Sequence, residues 1–173
     1  MTKESPLKDK IVLAVDDEPD VLETIVELLD MCHVVKVTNY KEAVEYLQSF
    51  TVDVVILDIM GVNGFELLKR CVARGLTTVM LTAHALSADT LKQSVEMGAR
   101  AYIPKHRISR IQEFLEDVIT LEHQPAWQRL FEKLGDFFDK TFGSEWQKDE
   151  KDFWNMVLSG KVVPGEPFIV KRK

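Results

Sequence analysis

Five short apolar runs, each followed by a segment with helical spacing, constrain the fold of this 173-residue chain most strongly. The run VVIL at 54–57 has no polar residue at alternate positions, which indicates a strand buried on both faces. The segments between the runs carry apolar residues at three- and four-residue intervals, as helices packed on a sheet do. The pattern predicts an α/β fold with a parallel sheet covered on both faces by right-handed crossovers. The five runs are 11–15 (IVLAV), 34–38 (VVKVT), 54–58 (VVILD), 78–82 (TVMLT) and 101–103 (AYI).

Acidic residues stand at the ends of two of these runs. Asp16 and Asp17 follow the first run, and Asp58 ends the third. In a doubly wound, five-stranded sheet of order 2-1-3-4-5, ligands bind where the order reverses, beyond the carboxyl ends of strands 1 and 3. Three carboxylates held there would repel one another without a cation, and oxygen ligands favour Mg²⁺ or a similar hard ion. The sequence therefore predicts a magnesium site.

The ends of the last two strands add a hydroxyl and an ammonium group. Thr82 closes the fourth run, and Lys105 comes shortly after the fifth. A transferring phosphoryl group spreads its charge over three oxygens, so its transfer depends mostly on positioning and charge neutralisation. We therefore interpret Asp58 as a nucleophile that accepts a phosphoryl group as an acyl phosphate.

The motifs VDDEPD, VVILD, MLTAHA and AYIPK make the chain resemble the response-regulator receiver domain of two-component signalling. The resemblance extends from about residue 9 to residue 123 and implies a flavodoxin-like sheet. It also implies that Asp17 and Asp58 bind Mg²⁺ together with the backbone carbonyl of Met60. Asp16 would act on the ion mainly through water.

The same resemblance implies a function. A receiver domain accepts a phosphoryl group from a histidine kinase or a histidine phosphotransfer protein, and it is a phosphoacceptor rather than an enzyme. Thr82 and Lys105 would hold the phosphoryl oxygens, and Tyr102 would reorient together with Thr82 on activation. The surface that changes is formed by the fourth helix, the fifth strand and the fifth helix. A second copy of the chain or a downstream protein would bind there.

The predicted site residues also have purely structural interpretations. Asp16 could cap the first helix, and Tyr102 could be a core aromatic. Thr82 and Lys105 could be an ordinary strand-end threonine and a surface lysine. His84, two residues after Thr82, could border the phosphoryl group or be merely solvated.

Two features depart from the family pattern. The loop IMGVNGF after Asp58 is short and lacks a common Met-Pro pair. His106 follows Lys105 where many relatives have a proline in a cis bond. Since a cis bond before a non-proline residue costs about 3 kcal/mol, we expect a trans bond here.

The chain is predicted to have two parts. Residues 1–123 form the receiver domain, with 1–9 as a flexible lead-in, and residues 124–173 form an aromatic-rich helical extension. Apolar spacing predicts one helix that stops near Gly143, and Ser144 with Gln147 resembles a capping box that would begin a second. The two helices would form a hairpin. The final stretch, GKVVPGEPFIVKRK, could be a Pro-Gly turn between extended runs or a frayed end.

The aromatic stripe of this extension allows two interpretations. It could fold back on the receiver or on itself, or it could present an apolar face to a second copy or another partner. The extension continues directly from the fifth helix, so we expect its packing or self-association to change on phosphorylation.

Charge, apolar runs and cysteine spacing argue against nucleic-acid binding, secretion, membrane insertion and a cysteine metal site. The net charge of −6 argues against nucleic-acid binding, and no DNA-binding output domain is recognisable. The chain has no signal-peptide core and no apolar run of about 18 residues, so we expect a cytoplasmic protein without membrane contact. Cys32 and Cys71 lack metal-site spacing and are expected to be reduced.

Two other functions remain open. A haloacid-dehalogenase-type phosphohydrolase uses the same aspartyl phosphate chemistry, but it requires an Asp-x-Asp motif with the nucleophile on its first strand. Here the two acids are adjacent, and Met60 stands two residues after Asp58. The other alternative is an adaptor that works without phosphorylation. The complete set of candidate residues argues against it.

Overall fold

The computed structural model describes residues 4–159, except for the side chains of residues 123 and 124. The sheet consists of β1 (Ile11–Val15), β2 (His33–Val37), β3 (Val54–Leu57), β4 (Thr78–Thr82) and β5 (Ala101–Pro104). All neighbouring strands are parallel, and their order is β2-β1-β3-β4-β5. This confirms the predicted architecture. β3, β4 and β5 are buried along their whole length, as a sheet covered on both faces requires.

Five helices alternate with the strands, and two more follow at the C-terminal end. They are α1 (Pro19–Leu28), α2 (Tyr40–Ser49), α3 (Gly64–Ala73), α4 (Ala88–Glu96), α5 (Ile111–Thr120), α6 (His123–Phe142) and α7 (Lys151–Leu158). Short 3₁₀ segments, Lys105–Arg110 and Lys148–Glu150, precede α5 and α7. In the part of the chain that the structure describes, no helix is both long and apolar enough to cross a membrane.

The pairing of β1 with β3 determines where the acidic residues meet. Val15 is in register with Leu57 at the carboxyl ends of these strands. The backbone N–H of Asp58 donates to the Val15 carbonyl at 3.0 Å. Asp16 follows Val15 and Asp58 follows Leu57. The two aspartates therefore lie side by side at the carboxyl edge of the sheet.

Residues near the N-terminus are tied to the domain by specific contacts. Leu7 is buried in the core, and the thiol of Cys32 donates to the Leu7 carbonyl at 3.4 Å. The Ser5 hydroxyl donates to a carboxylate oxygen of Glu116 in α5 at 2.9 Å. These contacts attach the described part of the lead-in, from Glu4 onward, to both the β2 and the α5 sides of the fold.

The helices α6 and α7 form a hairpin, which we call the C-terminal hairpin. One face of α6 is buried in the same hydrophobic cluster as the sheet, and it consists of Trp127, Leu130, Leu134 and Phe138. The indole N–H of Trp127 donates to the Ala99 carbonyl, just before β5, at 3.1 Å. Of the two interpretations of the aromatic stripe, the structure shows folding back onto the preceding domain.

The capping box predicted at Ser144 and Gln147 is wrong. The second helix begins at Lys151, and the intervening residues form turns and a 3₁₀ segment. The physical reason is packing of the Trp146 side chain. Its ring lies against Phe142 and Trp154, with centroid distances of 5.5 and 5.1 Å, and closing this cluster takes precedence over early helix formation.

The Trp127→Phe substitution should lower the free energy of unfolding by about 1–2 kcal/mol, because it removes the donor to a carbonyl in the core while keeping an aromatic ring. Urea unfolding measures this. The matched control is Trp146→Phe, since the indole of Trp146 donates to the exposed Asp139 and its loss should cost less than about 1 kcal/mol. Equal losses in the two variants would contradict a specific role for the Ala99 contact.

Candidate functional site

Four carboxylates converge beyond the carboxyl ends of β1 and β3. Asp16, Asp17, Glu18 and Asp58 each offer one oxygen, and these oxygens all lie within 4.8 Å of one another. Asp16 and Asp58 are only 2% and 3% exposed, whereas Asp17 lies at the surface. The structure thus brings together the three predicted acids. Glu18 was not predicted as a member of this group.

Glu18 could have been found from the sequence by its position. It directly follows the acidic pair, but a Glu before Pro19 is also an ordinary way to begin a helix. In the structure Glu18 is the N-cap of α1 without capping it through its side chain. Its backbone N–H donates to Asp16 at 2.9 Å, and this turn directs both side chains to the same crevice.

Lys105 lies at the centre of this acidic group. Its Nζ atom is 2.9 Å from an Asp16 oxygen, 3.2 Å from Asp58 and 3.3 Å from Glu18. The peptide bond after Lys105 is trans, as expected, since the described residues contain no cis bond. One largely buried ammonium thus contacts three of the four carboxylates.

Burial controls the protonation of these groups. Desolvation raises the pKa of Asp58 to about 6, and the nearby charge of Asp16 acts in the same direction, against the opposing effect of Lys105. Burial also raises the pKa of Asp16. Burial lowers the pKa of Lys105, but its contacts with Asp16 and Asp58 outweigh this, so the net pKa lies above its usual value. The site therefore has a surplus of negative charge that one lysine does not balance.

The donor set fits a hard divalent cation. The Oδ2 atom of Asp16 is buried, and although Lys105 approaches it as an ion pair, it accepts no hydrogen bond of good geometry. A buried oxygen without a hydrogen bond is costly, and a set of carboxylate oxygens favours Mg²⁺ or a similar hard cation.

The loop after Asp58 is pressed against the acidic group. Gly61 has φ of +84°, and a Cβ there would lie 2.3 Å from an Asp17 carboxylate oxygen. At Gly64 a Cβ would lie 2.0 Å from the backbone oxygen of Asp58. Glycine is favoured at position 61 by the positive φ and at position 64 by the clash with backbone atoms. Met60, two residues after Asp58, is 53% exposed.

Thr82 and Tyr102, at the end of β4 and within β5, are both fully buried. Thr82 Oγ1 accepts a hydrogen bond from the backbone N–H of Ala85 at 3.3 Å. The Tyr102 hydroxyl is 2.7 Å from Thr90 Oγ1 and accepts from the Ser87 backbone N–H at 3.2 Å. Both residues therefore bind the β4–α4 loop.

His84 lies in the same loop at the surface. Its Nε2 atom is 3.5 Å from the Glu18 carboxylate, which also contacts Lys105. The side chain therefore borders the acidic group through Glu18 and remains largely exposed to water.

Residues 12–116, more than half of the chain, match the family described as the response regulator receiver domain. The chain belongs to this family. Among curated relatives, the receiver is 37% identical over 100 residues to the two-component response regulator ARR18 of Arabidopsis thaliana, covering 54% of this chain and 16% of the relative. It is 31% identical over 108 residues to the Fimbriae Z protein of Salmonella typhimurium, covering 58% of this chain and 51% of the relative. The chain thus spans about half or less of the length of these relatives.

Solved structures also resemble the receiver. The response regulator TrrA of Thermotoga maritima, crystallised in complex with Mg²⁺ and BeF, has a TM-score of 0.55 and 27% identity. The match covers 63% of this chain and 98% of that one. The acidic group and Lys105 of the present receiver lie at the end of the sheet where the switch-point rule places a ligand.

Proposed function

We propose that this receiver accepts a phosphoryl group on Asp58, from a histidine kinase or a histidine phosphotransfer protein, and thereby switches a protein-interaction surface. The observation that carries the proposal is the arrangement around Asp58. This buried carboxylate contacts Lys105 and lies within 4.8 Å of three further carboxylates, at the carboxyl ends of adjacent parallel strands.

The residues have distinct roles in the proposed reaction. Asp16, Asp17, Asp58 and the Met60 carbonyl would hold Mg²⁺, which supplies charge neutralisation for the carboxylates and the phosphoryl oxygens. An Asp58 oxygen would attack the phosphorus atom and form an O–P bond while the P–N bond of the donor phosphohistidine breaks. The electron pair of the P–N bond stays on the nitrogen, and because the other ring nitrogen of the donor is protonated, the donor leaves as a neutral imidazole. Lys105 and Thr82 bind the transferred phosphoryl oxygens.

The burial of Asp58 favours its use as a nucleophile. Its raised pKa makes it more basic than an ordinary aspartate, yet at neutral pH it is still mostly ionised. Burial removes water from the Asp58 carboxylate, and the nearby ammonium group of Lys105 supplies a fixed positive charge in its place. In this proposal the protein is a phosphoacceptor that catalyses the transfer to its own Asp58. We place it in the cytoplasm, as a separate part of the proposal.

The experiment is incubation with acetyl phosphate and Mg²⁺, followed by intact-mass measurement. We expect one phosphoryl group per chain and no sustained release of phosphate from a generic ester such as p-nitrophenyl phosphate. Multiple turnovers of the ester would support a phosphohydrolase instead. A chain that gains no mass while staying folded would support a phosphorylation-independent adaptor.

Mg²⁺ binding should depend on Asp17. Isothermal calorimetry should detect one site in the unmodified protein and a loss of at least about tenfold in affinity for Asp17→Asn, because one charged oxygen ligand is replaced. Asp20→Asn is the matched control, since Asp20 is an exposed acid in the first turn of α1 outside the acidic group. Equal affinity in Asp17→Asn and the unmodified protein would remove Asp17 from the ligand set.

A further inference from the structure

The C-terminal hairpin covers the face formed by α4, β5 and α5. On the β5 side, the ring of Phe138 lies 6.1 Å from the ring of Tyr102, and both residues are completely buried. On the α5 side, Lys133 Nζ is 2.7 Å from Glu113 and 2.6 Å from Asp117. Lys133 retains only 17% of its side-chain exposure, so these ion pairs are partly shielded from water.

The α4 side of this face is covered by the start of α7. Lys92 Nζ lies 3.0 Å from the Glu150 carboxylate and 5.2 Å from the centre of the Phe153 ring. An ion pair and a cation–π contact thus join α4 to the hairpin. The hairpin therefore contacts α4, β5 and α5, and it occupies the parts of this face where these contacts lie.

A continuous set of contacts leads from Thr82 to the hairpin. Thr82 accepts from the Ala85 N–H, and the Ala85 carbonyl accepts from Thr90 Oγ1 at 2.5 Å. Thr90 Oγ1 in turn bonds to the Tyr102 hydroxyl at 2.7 Å. The Tyr102 ring then contacts Phe138 of α6. The β4–α4 loop, the switch residues and the hairpin are therefore in direct physical contact.

We infer that the C-terminal hairpin is the receiver's own partner on the α4–β5–α5 face, and that phosphorylation of Asp58 loosens its docking. This inference rests on the proposed function. In the structure, where the hairpin is docked, the β4–α4 loop has the conformation in which Thr82 accepts a hydrogen bond from the Ala85 N–H. A phosphoryl group on Asp58 draws the Thr82 hydroxyl towards its oxygens, which disturbs the loop that positions Tyr102 against Phe138.

The energetic consequence is a coupling between phosphorylation of Asp58 and docking of the C-terminal hairpin. A modification shifts a conformational equilibrium only through its different interactions with the two states, and the contacts from Thr82 to Phe138 provide that difference. Coupling is reciprocal, so a docked hairpin also opposes the phosphorylated arrangement of the loop. Loosening the hairpin frees its aromatic face and the α4–β5–α5 face at the same time.

Hydrogen exchange of the full chain tests this inference. With Mg²⁺ present, exchange in α6 and α7 should rise several-fold on addition of acetyl phosphate. Intact mass, measured on the same samples, establishes that the chain carries one phosphoryl group, and the loss of this label in Asp58→Asn assigns it to Asp58. In Phe138→Leu, labelling should be at least as fast and complete as in the unmodified protein, because a loosened hairpin no longer opposes the phosphorylated arrangement. Exchange in the hairpin should be higher from the start, and the further increase on labelling should be smaller.

The matched control is Phe142→Leu, because the ring contacts described for Phe142 are with Phe138 and Trp146, both in the hairpin region. This variant should keep the full increase on labelling. Labelled protein with unchanged exchange in α6 and α7 would overturn the coupling and leave the proposed function intact. Absence of label in the folded, unmodified protein would instead overturn the proposed function, and the coupling with it.

Discussion

The Asp58→Asn substitution should abolish phosphoryl labelling by acetyl phosphate while leaving the protein folded. An amide cannot form the acyl phosphate, so no residual label is expected at this position. Asp53→Asn is the matched control, because Asp53 lies just before the opposite end of β3, where its side chain accepts a hydrogen bond from the Ile11 N–H. Intact mass should show full labelling of the control and none of Asp58→Asn. Label that persists in Asp58→Asn would disprove the nucleophile assignment.

The same variant should change how stability depends on pH. Asp58 has a pKa of about 6 in the folded protein, above the ordinary value of about 4 in an unfolded chain. Between these values the folded state binds more protons, so the free energy of unfolding of the metal-free protein falls as pH rises from about 4 to about 6. In Asp58→Asn this decline should be smaller. Urea unfolding at several pH values, with chelator present, measures the difference.

At neutral pH the metal-free Asp58→Asn variant should be more stable than the unmodified protein. The raised pKa of Asp58 already includes the opposing effect of Lys105, and it corresponds to a cost of up to about 3 kcal/mol for keeping this carboxylate ionised at neutral pH. A neutral amide does not carry that cost. The free energy of unfolding of Asp58→Asn at pH 7 should therefore be higher than that of the unmodified protein. A variant less stable than the parent at pH 7 would show that the Lys105 contact outweighs the cost of burial.

The Gly64→Ala substitution should destabilise the protein by about 3 kcal/mol or more and strongly impair phosphorylation. Its methyl group would meet the Asp58 carbonyl at 2.0 Å and the Ile59 Cα at 2.7 Å, both backbone atoms that cannot rotate away. Relief requires moving the loop that carries Asp58 relative to Asp17. Urea unfolding and intact-mass labelling measure the two effects.

Gly135→Ala is the matched control for this substitution. Gly135 lies in the interior of α6, and a methyl group there would have no neighbour outside its own helix within 4 Å. Alanine at this position should stabilise the protein by about 0.5–1 kcal/mol, because it reduces the freedom of the unfolded chain. If Gly64→Ala were as stable and as readily labelled as Gly135→Ala, the close packing of the loop against Asp58 would be refuted.

Much of the receiver fold could be predicted from local patterns in the sequence. The unbroken apolar run of β3 indicated a strand buried on both faces, and parallel strands place their carboxyl ends at one edge. That rule was enough to bring Asp16, Asp17 and Asp58 together. Glu18 was missed because an acid at the start of a helix has an ordinary structural explanation.

The position of the hairpin could not be predicted in the same way. Helical spacing shows that one face of α6 is apolar, but it does not say which surface that face covers. The contact between Phe138 and Tyr102 joins residues far apart in the chain and depends on the shape of the assembled face. The Ser144 prediction failed for a related reason, because the packing of Trp146 is a tertiary effect.

The hydrogen bond from Trp127 to Ala99 also bears on how this receiver can be exchanged between proteins. The family match ends at residue 116, seven residues before α6 begins at His123, whereas the hydrophobic cluster continues through Trp127 and Phe138. A gene fusion joined at the end of the family match would carry the phosphorylation chemistry but leave an apolar surface beside β5 uncovered. Such a transplanted receiver should aggregate unless the new neighbour supplies an apolar helix of its own.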